Sequence, residues 1–282
     1  MIVLSTISEM RSWSKDHTAG KIETGFVPTM GYLHDGHISL VKRAKGENSG
    51  VVASIFVNPT QFGPNEDLTR YPRDFDGDFQ KLQSAGVDAL FYPDPAELYP
   101  DYFQTFVEVK DISGPLCGAF RPGHFRGVAT VVLKLFNIIA PTRAYFGNKD
   151  FQQLQVIKTM VRDLNVDVEV IGCPTVREAD GLAMSSRNSY LNESGRSQAV
   201  CLYNSMVAAK RQFDRGETSA RTLLATVENV INQQPDATIE YARLVDSTTL
   251  MDVDEAHPGC VFALAVRIGP TRLIDNMSLG AS

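Results

Sequence analysis

The chain predicts an α/β fold: a Rossmann-like parallel sheet with helices on both faces over residues 1–175, followed by a smaller C-terminal α+β domain over 176–282. Three observations carry this. Short β-branched runs alternate with segments of helical period through the first 175 residues. Beyond about residue 176 consecutive helical segments give way to hairpin-like strands. No repeat or low-complexity linker intervenes, so the boundary near "CPTVREADG" is expected to be tight, with the small domain closing over the site.

The elements follow in order. "TGFVPT" (24–29) reads as a strand, and "HISLVKRAK" (37–45) as a helix with Leu40, Val41 and Ala44 on one face. "GVVASIFV" (50–57), bounded by Gly50 and "NPT", is a buried strand. "DFDGDFQKLQSAG" (74–86) is helical and stops at a glycine; "VDALFYP" (87–93) is the next strand. "GVATVVLKLFNIIA" (127–140) is a helix and "RAYFG" (143–147) a short strand. "FQQLQVIKTMVRDLN" (151–165) sets Leu154, Ile157, Val161 and Leu164 at helical spacing before the strand "VDVEVIG" (166–172). In the second domain "SGRSQAVCLYNSMVAAKRQFDRG" and "SARTLLATVENVINQQ" are helical, and "ATIEYARLVD", "GCVFALAVRIG" and "TRLIDNM" are strands.

Composition narrows the function classes. With 43% apolar and 21% charged residues the chain is globular rather than disordered. A net charge of -6 argues against a nucleic-acid partner, which calls for a basic face. No apolar run approaches the roughly 18 residues of a membrane span, and the N-terminus lacks the basic and apolar regions of a signal peptide. Cys117, Cys173, Cys201 and Cys260 form no CxxC pair, which fits buried, reduced thiols and a cytoplasmic location.

The chain contains neither GxxxxGK[ST] nor GxGxxG, so a nucleotide would need another device. "PTMGYLHDGH" offers one: a strand ends, the backbone turns through Gly31, and a helix starts near His37. His34 and His37, at i and i+3, can both face an anion at that helix start, and Gly36 lets a ligand approach. Taken alone, HxxH fits two surface histidines on a turn better; a zinc site lacks a third ligand, since His17, His124 and His257 offer no partnership. Asn58 and Gln61, after the second strand, are neutral groups suited to hydroxyls and carboxylates. "DFDGD" imitates a calcium loop but has Phe79 and Ala85 where glycine and glutamate are required, which leaves a charged helix start. Arg121, His124 and Arg126 could meet an anion or line a solvated loop. Lys149 suits phosphate and Asp150 ribose hydroxyls, with Gln153 on the following first turn, and Ser185, Ser186 and Arg187 suit a second anion clamp; each stretch alone fits a loop as well, and together they repeat one strand-end constellation.

Together "PTMGYLHDGH", "FVNPTQF", "EDLTRYPRD", "RPGHFRGVATVV", "YFGNKDFQQLQ" and "READGLAMSSRN" resemble the pantoate–β-alanine ligases of the HxGH nucleotidyltransferase superfamily, in family order over essentially the whole chain. The resemblance implies ligation of pantoate and β-alanine at the expense of ATP, carried with Mg2+, through a pantoyl adenylate. It implies that Met30, Gly31, Tyr32, Leu33, His34, Asp35, Gly36 and His37 line the ATP site, with His34 and His37 on phosphates. Gly147 and Asp150 would hold the nucleoside, Lys149 a phosphate, and Asn148, Val176, Met184, Ser185, Ser186 and Arg187 the remainder of the ATP site. Gln61 and Gln153, with Asn58 beside them, would hold pantoate. His37, His34, Lys149 and Arg187 would stabilise the transition state; the family implies a homodimer. Two rivals remain: another HxGH adenylyltransferase, disfavoured by the neutral Gln61 and Gln153, and a non-catalytic nucleotide binder, disfavoured by the intact cationic set.

Overall fold

The computed structural model describes residues 1–19, 22–64 and 66–280. They form two compact units. The first holds Met1–Ser113, Phe120–Asn148 and Gln153–Pro174; the second holds Gly114–Ala119, Lys149–Gln152 and Thr175–Ser282. A single cut at 175/176 therefore misses two short segments, 114–119 and 149–152, that group with the second unit.

The chain runs β1 (Ile2–Leu4), α1 (Ile7–Ala19), β2 (Thr24–Thr29), α2 (Asp35–Glu47), β3 (Gly50–Ile55), α3 (Phe75–Ser84), β4 (Ala89–Phe91), α4 (Pro95–Leu98), α5 (Cys117–Phe120), α6 (His124–Ile139), β5 (Arg143–Gly147), α7 (Phe151–Asp163) and β6 (Glu169–Cys173). The six strands of the first unit form one sheet in the order β1-β4-β3-β2-β5-β6, with every neighbouring pair parallel. From β2 the chain winds outward through β3 and β4 on one side, then through β5 and β6 on the other. Central strands β3 and β4 are buried at every position, as a sheet covered on both faces requires. Val27, Val51, Ala53, Ile55, Leu90 and Tyr145 face Leu40, Val41 and Ala44 of α2 and Leu82 of α3. On the other face Phe26 and Phe146 each meet the ring of Phe136 from α6 edge-on, at 6.4 Å between centroids.

The second unit carries α8 (Glu193–Ala199), α9 (Cys201–Phe213), α10 (Ala220–Ile231), β7 (Ala237–Asp246), β8 (Cys260–Ile268) and β9 (Thr271–Ser278). Its antiparallel sheet, β7-β8-β9, packs a core of its own from Leu202 and Met206 of α9, Leu223 and Val227 of α10, and Phe262 and Leu264 of β8. The α+β expectation for this region holds, as does the parallel sheet for the first.

The differences lie at ends and edges. β1 and α1 were not anticipated: β1 is a three-residue edge strand that leaves Ile2 and Val3 exposed. Leu154 and Ile157 are buried as expected, with Val156 and Met160 beside them, but Leu164 is 51% exposed, because α7 ends at Asp163 and Asn165 turns with φ 51°. All four cysteines are free and buried. Among the described residues no helix is long and apolar enough to cross a membrane.

Candidate active site

A sheet wound outward in two directions leaves a crevice where the direction reverses, and ligands of such folds bind there. The reversal lies between β2 and β5, which pair directly. At the last residue of β2, Thr29 Oγ1 donates to Ser54 O at 2.7 Å and accepts from Gly31 N–H at 3.2 Å. Gly31 (φ 82°) and Tyr32 (φ 51°) then take successive left-handed conformations. The backbone N–H groups of Tyr32 and Leu33 each donate to one oxygen of Asp78 at 2.6 Å. Burial pushes the Asp78 carboxyl above the usual aspartate range, against the opposing pull of those two N–H groups and Lys81.

His34 is the N-cap of α2, and its side chain does what serine or aspartate usually does there. Its Nδ1 accepts from Gly36 N–H at 3.2 Å, and the His37 Nδ1 accepts from His34 N–H at 3.3 Å: a capping box built from two imidazoles. The rings lie 4.1 Å apart between centroids. Since both Nδ1 atoms are acceptors, the proton of each neutral ring resides on Nε2. The helix thus starts at Asp35, two residues before the expected start at His37, and His34 belongs to its cap rather than to a loop.

At the end of β3, Asn58 is 1% exposed. Its Oδ1 accepts from the Thr60 N–H and hydroxyl, and its Nδ2 donates to Gln61 Oε1 and to Gly127 O, both at 3.1 Å. The amide of Asn58 thus holds Gln61 in place. Gln61 Nε2 lies 2.9 Å from Met30 Sδ, so the glutamine reaches the β2 end. Arg121, His124 and Arg126 each meet a protein partner. Arg121 grips Glu66 with two bonds of 2.6 and 2.7 Å, His124 Nδ1 donates to Gln61 O at 2.8 Å, and Arg126 stacks over Phe106. Burial alone would raise Glu66; Arg121 outweighs it and sets the carboxyl below its usual range.

In the second unit, Val176 O accepts from Met184 N–H, and Arg177 bridges Ala183, closing a hairpin whose tip turns at Gly181 (φ 96°). A Cβ at Gly181 would collide with the ring of Tyr203, against which Arg177 stacks at 4.6 Å. The hairpin delivers Met184 and Ser185 to a 3-10 turn, Ser186–Tyr190, capped by Ser185 Oγ, which accepts from Arg187 N–H. β9 supports both cationic segments. Asp275 holds Arg177 with bonds of 2.6 and 2.9 Å, and Asn276 Nδ2 donates to Lys149 O at 2.8 Å. Lys149 and Asp150 lie in the turn Asn148–Asp150, which follows Gly147 at the end of β5, with Nζ 3.8 Å from the Asp150 carboxylate; Gln153 falls in the first turn of α7 as expected.

The sequence model of the Pantoate-beta-alanine ligase family matches residues 2–278. The chain belongs to the pantoate–β-alanine ligase family. It is 53% identical over 280 residues to a pantothenate synthetase of Thermotoga neapolitana, covering 99% of this chain and 100% of that one. In structure it resembles the pantothenate synthetase of Thermus thermophilus, with a TM-score of 0.95, 46% identity and both chains covered in full. It also resembles the pantoate–β-alanine ligase of Francisella tularensis, solved in complex with β-γ ATP and β-alanine, with a TM-score of 0.83, 38% identity and coverage of 100% and 99%. The ligase fold thus matches the two-part reading of the sequence.

Within this ligase, sequence reasoning missed residues that hold others in place: Asp78, Lys81, Asp275 and Asn276. Their signal was weak. Asp78 sits at the fourth residue of an α3 whose Asp74 and Asp76 are exposed, and only a helical wheel that put Asp78 beside Leu82 would have turned it inward.

Proposed function

We propose that this member of the ligase family joins pantoate and β-alanine into pantothenate with consumption of ATP, through a pantoyl adenylate. The pantoate carboxylate attacks the α-phosphorus, and pyrophosphate leaves. The β-alanine amine then attacks the acyl carbon; AMP departs and the amine proton is lost to solvent. The observation that carries this reading is the imidazole capping box at the end of β2, where two Nε2–H donors and a helix start favour a phosphate.

In this reading Met30–His37, Gly147, Asn148 and Asp150 bind ATP, and Lys149, Val176, Met184, Ser185, Ser186 and Arg187 complete its site. Gln61 and Gln153 bind pantoate, and Asn58 acts through Gln61. His34, His37, Lys149 and Arg187 neutralise the charge that builds as pyrophosphate leaves. No enzyme nucleophile is required. Magnesium enters as the counter-ion of the triphosphate, a role that needs few protein ligands because Mg2+ keeps several waters. The reading extends to a cytoplasmic homodimer.

The deciding experiment follows each half-reaction separately. Pyrophosphate release from MgATP is expected to require pantoate, and AMP release with amide formation to require β-alanine. Pyrophosphate release at the same rate without pantoate would overturn the reading.

A further inference from the structure

We propose that Asp78, assisted by Lys81, is a positioning residue that locks the Gly31–Leu33 turn in the one conformation that presents His34 and His37. The proposal rests on the reading of those histidines as phosphate donors. Asp78 stands on α3, 45 residues away in sequence from Leu33, yet each of its oxygens takes one of two consecutive backbone N–H groups at 2.6 Å. Lys81 Nζ, one turn later on the same helix, donates to Leu33 O at 2.7 Å. α3 therefore grips the turn by its donors and by its acceptor at once.

The turn needs such a grip. Tyr32 is a non-glycine residue at φ 51°, next to Gly31 at φ 82°, and a left-handed conformation of this kind is held only by its surroundings. Packing alone does not supply them: a cavity of about 140 Å³ lies beside Met30 and Gly31, lined in part by Phe56, Tyr92 and Asp78 itself. Gly31 is fitted to the carboxylate, since a Cβ there would lie 3.0 Å from Asp78 Oδ2. A carboxylate 1% exposed is costly to bury, and Asp74 and Asp76 show that this helix start could have stayed in water. Because His34 follows Leu33 directly, any relaxation of the turn moves the imidazole cap with no slack between them.

The test is Asp78→Asn, whose amide can accept one of the two N–H groups but sets its own NH2 against the other. The variant is expected to fold, shown by circular dichroism, with amide exchange at Tyr32 and Leu33 accelerated. Its KM for MgATP should rise and its adenylation rate fall by about 10²-fold, the scale of a misplacement near 1 Å, while the KM for pantoate stays unchanged. Aminolysis of supplied pantoyl adenylate by β-alanine should remain close to wild type. If Asp78→Asn does not fold, Lys81→Met, altered at a solvent-exposed position, is expected to raise the KM for MgATP in the same direction. Unchanged MgATP KM and adenylation in the folded variant, alongside a strong loss in His37→Asn, would overturn the anchor. If His37→Asn itself has no effect on adenylation, the phosphate reading fails instead.

Discussion

A histidine whose Nδ1 accepts from the backbone has only its Nε2 proton to offer, and this holds for His34 and His37 together. The pair resembles two fixed donors more than two proton shuttles. Asparagine places an oxygen near Nδ1 and glutamine an amide near Nε2, so the two functions of His37 can be separated. His37→Asn is expected to keep the helix cap and the melting temperature but to slow adenylation by about 10²- to 10³-fold, the usual cost of removing one preorganised donor. His37→Gln should be the better catalyst and the less stable protein. Single-turnover adenylation paired with calorimetry checks both halves; equal rates for the two variants would remove the Nε2 donor from the mechanism. At this scale the sequence conveyed which side chains matter and not which atoms: the HxxH spacing placed both rings together, but their tautomer is fixed by the backbone amides they accept.

At the level of elements, the legible features were those with a period. β2 and β5 fall where short apolar runs put them, because their burial is nearly continuous, and β7 falls where Tyr241, Leu244 and Val245 turn to the core between more exposed positions. β1 was illegible, being three residues long and half exposed, so that it carries no periodic signal. The turn Asn58–Gln61 could be read as polar but not as the thing α6 is built around. Gly127 on α6 abuts it so closely that a Cβ would overlap Thr60 O and lie 2.7 Å from Gln61 N. Gly127→Ala is therefore expected to destabilise by about 1–3 kcal/mol despite the better helix propensity of alanine, and to raise the KM for pantoate. Denaturant unfolding with pantoate-dependent kinetics tests it; a stabilised variant with an unchanged KM would show that the turn moves freely.

For the molecule as a whole, acid sensitivity follows from its carboxylates. Glu66 is depressed below its ordinary value of 4.5 in the folded state, so its ion pair with Arg121 contributes stability above pH 4.5 that is lost as pH falls through the folded value. Asp78 has the opposite sign: raised on folding, it costs stability progressively as pH climbs from 3.8 through its folded value, and that cost is relieved in acid. Glu66→Gln is thus expected to lower the unfolding free energy most at neutral pH, with the difference from wild type closing below pH 4.5. A difference that does not vary between pH 7 and pH 3.5, in urea titrations, would mean that the pair contributes only packing. The sequence showed two units with separate cores, since each has its own apolar pattern; it did not show that segments 114–119 and 149–152 group with the second, because pattern is local and contact is not.

The attachments made by Asp275 and Asn276 of β9 also set an order in time. Asn276 follows Lys149 by 127 residues, and Asp275 follows Arg177 by 98. At about 5–20 residues per second on the ribosome, the segments bearing the cations wait some 5–25 s for the strand that pins them. A nascent chain can complete its parallel sheet during that interval, yet the Lys149 carbonyl gains its partner on β9 only when that strand arrives.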